Sequence, residues 1–293
     1  MPGRLAVIVA AVLFGSTGTA QALGPDDATP LGVGWLRIVV GAGTLVVLAA
    51  RARRPVGGAA WRVHAGWLLL GALGVAAYQP TFFTGTDRAG VALATIVALG
   101  SGPAFAGALE LTLFRRRPPA RWRQGTVIAL AGCALLVVAQ GGDTVVDALG
   151  VVAALGAGAS YAVYATATKV LITRGVDSTV ALAALFTIGA VLLTPLGLTQ
   201  PLDWVWTRSG VLMLAHLGII TVGVAYFCYG YGLRTLPTST AVMLTLAEPV
   251  MAALCGVIVL DEDLPLLGWL GAAVVVDGLA VGGRPDRRPS LGR

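Results

Sequence analysis

From residue 5 to residue 283 this chain repeats one kind of unit, an almost wholly apolar stretch closed by a short polar or Gly/Pro-containing link. Each stretch is long enough to cross a bilayer, which takes roughly 17 to 25 residues as helix. Charge usage agrees: 12% of the residues are charged, about half the share of a soluble domain. The chain is read as an all-α integral membrane protein with ten transmembrane helices, at 5–23, 29–50, 65–86, 89–113, 124–140, 148–172, 178–198, 210–233, 237–260 and 265–283. A barrel would need roughly ten-residue alternating strands, which are absent. The links are too short to hold a soluble domain. Ala20-Gln21-Ala22 has the small-residue pattern of a signal-peptidase site. Arg4 is the lone basic residue ahead of the apolar core, and cleavage would spoil the repeat described below, so this span is expected to remain.

Basic residues set the orientation. With the N-terminus in the cytoplasm, seventeen Lys and Arg fall inside: Arg4, Arg51, Arg53, Arg54, Arg62, Arg115, Arg116, Arg117, Arg121, Arg123, Lys169, Arg174, Arg234, Arg284, Arg287, Arg288 and Arg293. Arg88 and Arg208 are the two on the outside, among Asp26, Asp27, Asp143, Asp147, Asp203 and Asp261-Glu262-Asp263. This is the positive-inside pattern with both termini cytoplasmic, and it accounts for the basic runs without a nucleic-acid partner.

The chain also repeats itself. WLLLGALGVAAYQPTFF, from Trp67, aligns with VLMLAHLGIITVGVAYF, from Val211, placing Gly74 over Gly218 and Phe83 over Phe227. Further on, Gly102-Pro103 lies over Glu248-Pro249, then Gly125 over Gly271 and Gly132 over Gly278. Two five-helix units result, 1–145 and 146–293, the second with a short basic tail. Because five is odd, the second unit enters the membrane from the opposite side, so the repeats are inverted around a central cavity. Inverted repeats are a recurrent architecture of secondary transporters, with the substrate site near the midplane and alternating access between the two sides.

These spans, the duplication, Pro103 in span four, Glu248-Pro249 in span nine and the Gly15-Ser16 region of span one resemble the EamA-type members of the drug/metabolite transporter superfamily, and within it the YddG-like amino-acid exporters. The resemblance covers the whole chain. It implies export of amino acids or related metabolites across a bacterial inner membrane, through a central cavity and without ATP. A monomer is entertained, although the sequence does not fix the oligomeric state. No G-x-x-x-x-G-K-[ST] motif is present. The implied partners are the small-molecule substrate and the lipid bilayer. Aromatic and other apolar amino acids, such as methionine or threonine, are the expected cargo, with other metabolites, nucleosides or cationic drugs as the alternative.

Glu248 sits about eleven residues from either end of span nine, near the bilayer centre. A carboxylate there must face protein or water, find a partner or hold a proton. Proton coupling, a substrate ammonium contact and a structural interhelical role all stay open for it. Pro249 and Pro103 each remove a helical hydrogen bond, and interruptions at matching places in both halves point to a binding site. Both are assigned gating or structural roles, as are Arg37, His216 and Asp277. Arg37 could meet a substrate carboxylate, but pairing with Glu248 or Asp277 is the plainer expectation. Asp277 itself reads as a helix-helix hydrogen bond and His216 as a satisfied polar contact. Tyr78, Phe82, Phe83, Tyr161, Tyr164, Tyr226 and Tyr229 lie away from the interface belts and are expected to line the cavity. Ser16, Thr17, Gln79 and Thr245 are expected to serve them as polar partners. Trp61, Trp122, Trp204, Trp206 and Trp269 read as interfacial anchors.

Cys133, Cys228 and Cys255 lie inside spans without C-x-x-C or His spacing, so no disulfide framework, metal site or cofactor is expected. An intramembrane enzyme is disfavoured: H-E-x-x-H and G-x-S-x-G are absent and the chain holds two histidines. A channel or a scaffold explains the repeat and the midplane polar residues less well.

Overall fold

The structure is a computed structural model describing residues 2–52, 60–139 and 147–284. Arg53, Arg54, Asp143, Arg287, Arg288 and Arg293 lie outside the described residues, as do the side chains of Trp61 and Arg62. All regular structure among the described residues is helical.

The first span is two helices, α1 (Gly3–Gly15) and α2 (Thr17–Ala22), parted at Ser16. Next is α3 (Pro30–Arg51), whose Thr29 side chain accepts from Gly32 N while Pro30 occupies the first turn, the usual chemistry of a helix start. The long α4 (Ala60–Phe114) passes through Gly90 at φ 79° and ψ 151°. Glycine alone adopts that conformation without strain. Spans three and four, expected as separate helices at 65–86 and 89–113, are therefore two limbs joined at a one-residue corner, too tight for a loop. Next come α5 (Ala120–Ala139), α6 (Ala148–Thr173) and α7 (Ser178–Gly197). Asp147 and Asp177 cap α6 and α7 with their carboxylates.

Span eight is α8 (Arg208–Ala215), a π-helical stretch (His216–Val224) and α9 (Ala225–Leu233). Span nine is α10 (Thr238–Leu244), a 3-10 turn (Thr245–Ala247) and α11 (Glu248–Val259). The last helix is α12 (Leu266–Gly282). By length and composition, eight helical segments among the described residues can cross a membrane, from Gly3–Ala22 to Thr238–Val259, and Leu266–Gly282 is a shorter apolar helix.

Packing is that of a bundle in lipid. Large apolar side chains face outward, as with Val127 at 67%, Val191 at 65% and Ile258 at 76% exposure. The interior is rich in alanine and glycine, which let helices approach closely where no hydrophobic effect drives them together. A Cβ at Gly125 would land on the backbone of Gly278 and Gly282, and one at Gly132 on that of Gly271 and Val275. This antiparallel contact joins α5 to α12 through glycines rather than through Asp277, which is exposed on another face of α12. The expected helix-helix hydrogen bond of Asp277 is thus replaced by backbone-to-backbone packing. Two tryptophans also differ from expectation. Trp122 is buried and donates to Ser239 O at 3.0 Å, and Trp204 is buried and donates to Pro201 O at 3.1 Å. Each ring fills a gap between helices near a span end, whereas Trp206 and Trp269 are exposed as anchors should be.

The helix ends gather on two faces. One holds Gly24, Gly90 and Asp147, with Arg88 and Asp147 paired at 3.3 Å. The other holds Gly3, Phe114, Ser178, Ser239 and Gly283, tied by the Trp122 bond and by Lys169 Nζ donating to Leu233 O at 2.6 Å.

Candidate functional site

A cavity of about 270 Å³ lies inside the bundle. Its wall draws on Phe14, Thr17, Gly18 and Gln21 at the α1–α2 break, Arg37 on α3, and Tyr78, Gln79, Phe82 and Phe83 on the first limb of α4. Leu99 on the second limb of α4, Tyr161 and Tyr164 on α6, Phe186 on α7, Thr221 in the π stretch, Tyr226 on α9, and Glu248 and Ala252 on α11 close it. The lining runs from mid-bundle toward the Arg88 face, where Gln21 and Phe83 sit. On the opposite side it ends at Tyr161 and Glu248.

Each break in helical order places a group at this wall. The α1–α2 break lets Gly15 lie against the Glu248 carbonyl and Met251, a contact that a Cβ would prevent. The 3-10 turn before Glu248 tightens span nine, and Pro249 sits in the first turn of α11, where its missing N–H costs no helical bond. Pro249 thus marks a restart of the helix rather than a simple kink, while Pro103 stays within α4. Neither proline lines the cavity.

Aromatic rings form the cavity's apolar side. Tyr226 is the hub, with ring centroids 4.4 Å from Phe186, 5.0 Å from Phe14 and 6.0 Å from both Tyr164 and Tyr229. The Tyr164 and Tyr226 hydroxyls share a hydrogen bond, and Tyr161 shares one with Thr245 at 2.9 Å. Tyr78 stacks on Phe82 at 5.7 Å.

The charged pair is arranged differently from the expectation. Arg37 and Glu248 face the same cavity, yet among the described residues no ion pair or hydrogen bond joins them. Arg37 Nε is buried without a partner, as is Gln79 Oε1. Opposite charges that face one cavity without bonding to each other leave each free to meet a ligand group. Asp277, the other partner considered for Arg37, lies on the bundle exterior.

Three residues expected in the wall lie behind it. Thr245 and Tyr229 are buried at 3% and 0% exposure and support Tyr161 and Tyr226. Ser16 turns toward a second, lateral cavity lined also by Thr19, Arg208 and His216. Its hydroxyl donates to Leu13 O at 2.8 Å and meets His216 Nε2 at 2.9 Å. With the single hydroxyl proton on Leu13 O, His216 Nε2–H is the donor to Ser16. That bond ties the α1–α2 break to the π stretch of span eight. Phe14, Gln21, Phe186 and Thr221 are wall residues that sequence reasoning missed. Of these, Phe14 and Gln21 flank the Gly15-Ser16 break that was singled out, whereas Phe186 lies in a uniformly apolar span that offers no signal. Glu110, buried at 5% exposure, was missed as well.

Comparison with known proteins bears on this arrangement of helices and cavity. The chain is 40% identical over 279 residues, 94% of its length and 92% of the relative's, to the uncharacterized transporter YwfM of Bacillus subtilis. It is 30% identical over 172 residues to the threonine/homoserine exporter RhtA of Escherichia coli K12, spanning 59% of this chain and 57% of that exporter. A protein crystal structure with 22% identity superposes with a TM-score of 0.82 over 95% of both chains, a likeness of fold. The sequence profile of the EamA-like transporter family matches residues 1–138 and 148–282. Multi-pass helices, a cavity opening between them and this match across almost the entire chain agree, and the chain belongs to the EamA-like transporter family.

Proposed function

We propose that the chain is a secondary exporter of amino acids, working by alternating access in a bacterial inner membrane with both termini in the cytoplasm. One observation carries the reading: Arg37 and Glu248 face one aromatic-walled cavity without pairing to each other. A zwitterion satisfies both at once, its carboxylate on the Arg37 guanidinium and its ammonium on Glu248. Gln79 adds a polar partner, and the rings of Tyr78, Phe82 and Tyr226 receive the side chain. The mixture of one cation, one anion and many rings fits aromatic and apolar amino acids such as phenylalanine, methionine and threonine. A purely cationic drug would leave Arg37 facing a like charge. The relationship to a threonine/homoserine exporter supports the same cargo class.

The architecture behind this reading is ten spans in two inverted units, 1–145 and 146–293, counting the limbs of α4 separately. Support comes from contacts that exchange under the repeat. Gly125 meets Gly278 while Gly132 meets Gly271. Because Gly125 aligns with Gly271 and Gly132 with Gly278, exchanging the units turns one contact into the other, as a two-fold axis requires. Likewise Gly15 of span one lies on span nine at Glu248 and Ala252, and Gly158 of span six lies on span four at Ala98 and Gly102. Rocking one unit against the other would then expose the cavity to each side in turn. On this reading the substrate gradient drives transport without ATP.

Counterflow in proteoliposomes tests this function. Radiolabelled phenylalanine, methionine and threonine are expected to accumulate saturably against preloaded unlabelled substrate, relative to protein-free vesicles. Folded protein without counterflow across the panel would overturn the amino-acid reading.

A further inference from the structure

On the side facing Gly283, α10 is buried along its whole length and lies outside the cavity lining, and one buried carboxylate stands beside it. Glu110 lies near the end of α4 at 5% exposure, and its Oε2 accepts from Ser239 N at 3.1 Å. Ser239 is in the first turn of α10, where backbone N–H groups have no helical acceptor. The residue before that turn is Pro237, which supplies no side-chain cap. A carboxylate from the other half of the molecule supplies the missing acceptor, where negative charge suits the helix start. The same residue is held on its other side, since Trp122 of α5 donates to Ser239 O at 3.0 Å. Both backbone groups of Ser239 are thus gripped from the first half.

The repeat makes this grip informative. The register that places Pro103 over Pro249 carries Glu110 onto Gly256 and Leu93 onto Ser239. At Gly256 the near neighbour is the side chain of Glu262, from the link after α11, and not span four. Spans four and nine therefore meet at one end, where α10 packs on α4 and Val242 lies by Gly102, and α11 lies instead on α1, α2 and α5. The same two spans are clasped at the Gly283 face and apart at the face toward which the cavity runs.

We propose that Glu110 is the latch of the cytoplasmic gate: its bond to Ser239 holds spans four and nine together while the cavity faces outward and breaks when the cavity turns inward. This rests on the alternating-access reading and on no substrate. Glu110 lies outside the cavity wall and acts by positioning span nine.

The test reads both gates at once. Cysteines are introduced singly at Val242, on buried α10, and at Gln21, in the cavity wall, in the full chain in lipid nanodiscs. Labelling by N-ethylmaleimide is followed by mass spectrometry, with native Cys133, buried on α5, as the internal reference. In E110A, V242C is expected to label about tenfold faster, the effect of losing a hydrogen bond to a charged group. Q21C should label more slowly, and Cys133 should not change. E110Q keeps an oxygen acceptor and should give a smaller shift of the same sign. W122F, which lacks the donor to Ser239 O, should also shift labelling in that direction and carries the test should E110A fail to fold. Unchanged V242C labelling overturns the latch. A parallel rise at Val242, Gln21 and Cys133 overturns it too, because that is general loosening. A missing amino-acid counterflow would leave these rates untouched, so the two readings fail separately.

Discussion

Gly102-Pro103 in α4 and Glu248-Pro249 in span nine occupy the same place in the repeat and do opposite things. At Gly102 the helix continues through its proline, and the glycine lies beneath the Tyr161 ring and Val242. At Glu248 the helix tightens into a 3-10 turn, restarts, and turns a carboxylate into the cavity across from Arg37. Under the proposed duplication the two prolines hold matching places, but only the one at Glu248 sits at a break in the helix, and only it adjoins a charge. On that reading, function resides in departures from the repeat, whereas stability resides in contacts such as those of the α5 glycines with α12.

That contrast can be broken directly. Gly102→Glu places a carboxylate against the Tyr161 ring and Val242, behind the cavity wall at a position that does not itself line the cavity. It is expected to cost about 3–5 kcal/mol, the penalty of an unpaired buried charge, seen as loss of folded protein or a large fall in Tm in detergent. Wild-type stability would mean that register alone decides where charge is tolerated. Glu248→Gln keeps the shape and removes the charge, so counterflow should fall about 10- to 100-fold while the Tm holds, in line with about 1.5–3 kcal/mol for a charged hydrogen bond. Unaltered transport would leave Glu248 a structural role only. Arg37→Ala should raise KM about tenfold, with less effect on the maximal rate, because it removes the guanidinium contact to the substrate carboxylate.

The Arg88–Asp147 pair is the smallest case. It is exposed, and Arg88→Ala should be inseparable from wild type in a thermal melt at neutral pH. The Leu149 N–H, with Arg88 beside it, holds the Asp147 carboxyl below the ordinary carboxylate range. A lowered folded-state value makes its contribution complete above the unfolded pKa and lost as pH falls through the folded one. Any difference between Arg88→Ala and wild type should therefore shrink on acidification, and a difference growing toward low pH would contradict the assignment.

Membrane-crossing helices, their approximate limits and the positions of Glu248, Arg37 and the aromatic wall were legible in the sequence, because apolar length and isolated midplane charge are strong signals in lipid. What escaped depends on side-chain direction and on contacts distant in sequence. Ser16 and Thr245 sit in the right spans but point to a lateral cavity and to Tyr161. Trp122 was read as an anchor from its place at a span end, yet its indole finds a carbonyl 117 residues away. Glu110 passed unnoticed because an acidic residue five positions before the basic run that starts at Arg115 looks solvated, whereas in the fold it is buried against the start of α10. The corner at Gly90 is likewise a matter of one dihedral angle in a row of otherwise helical residues.

The central claim is that the cavity reads both ends of a zwitterion, and competition during counterflow tests it most directly. Against labelled phenylalanine, unlabelled phenylalanine should compete, while its methyl ester, lacking the carboxylate charge, and its N-acetyl derivative, lacking the ammonium, should compete at least tenfold more weakly, about one charged contact each. In Arg37→Ala the penalty for the ester should vanish, and in Glu248→Gln the penalty for the N-acetyl form should vanish. Equal competition by all three compounds in the wild-type protein would contradict the account.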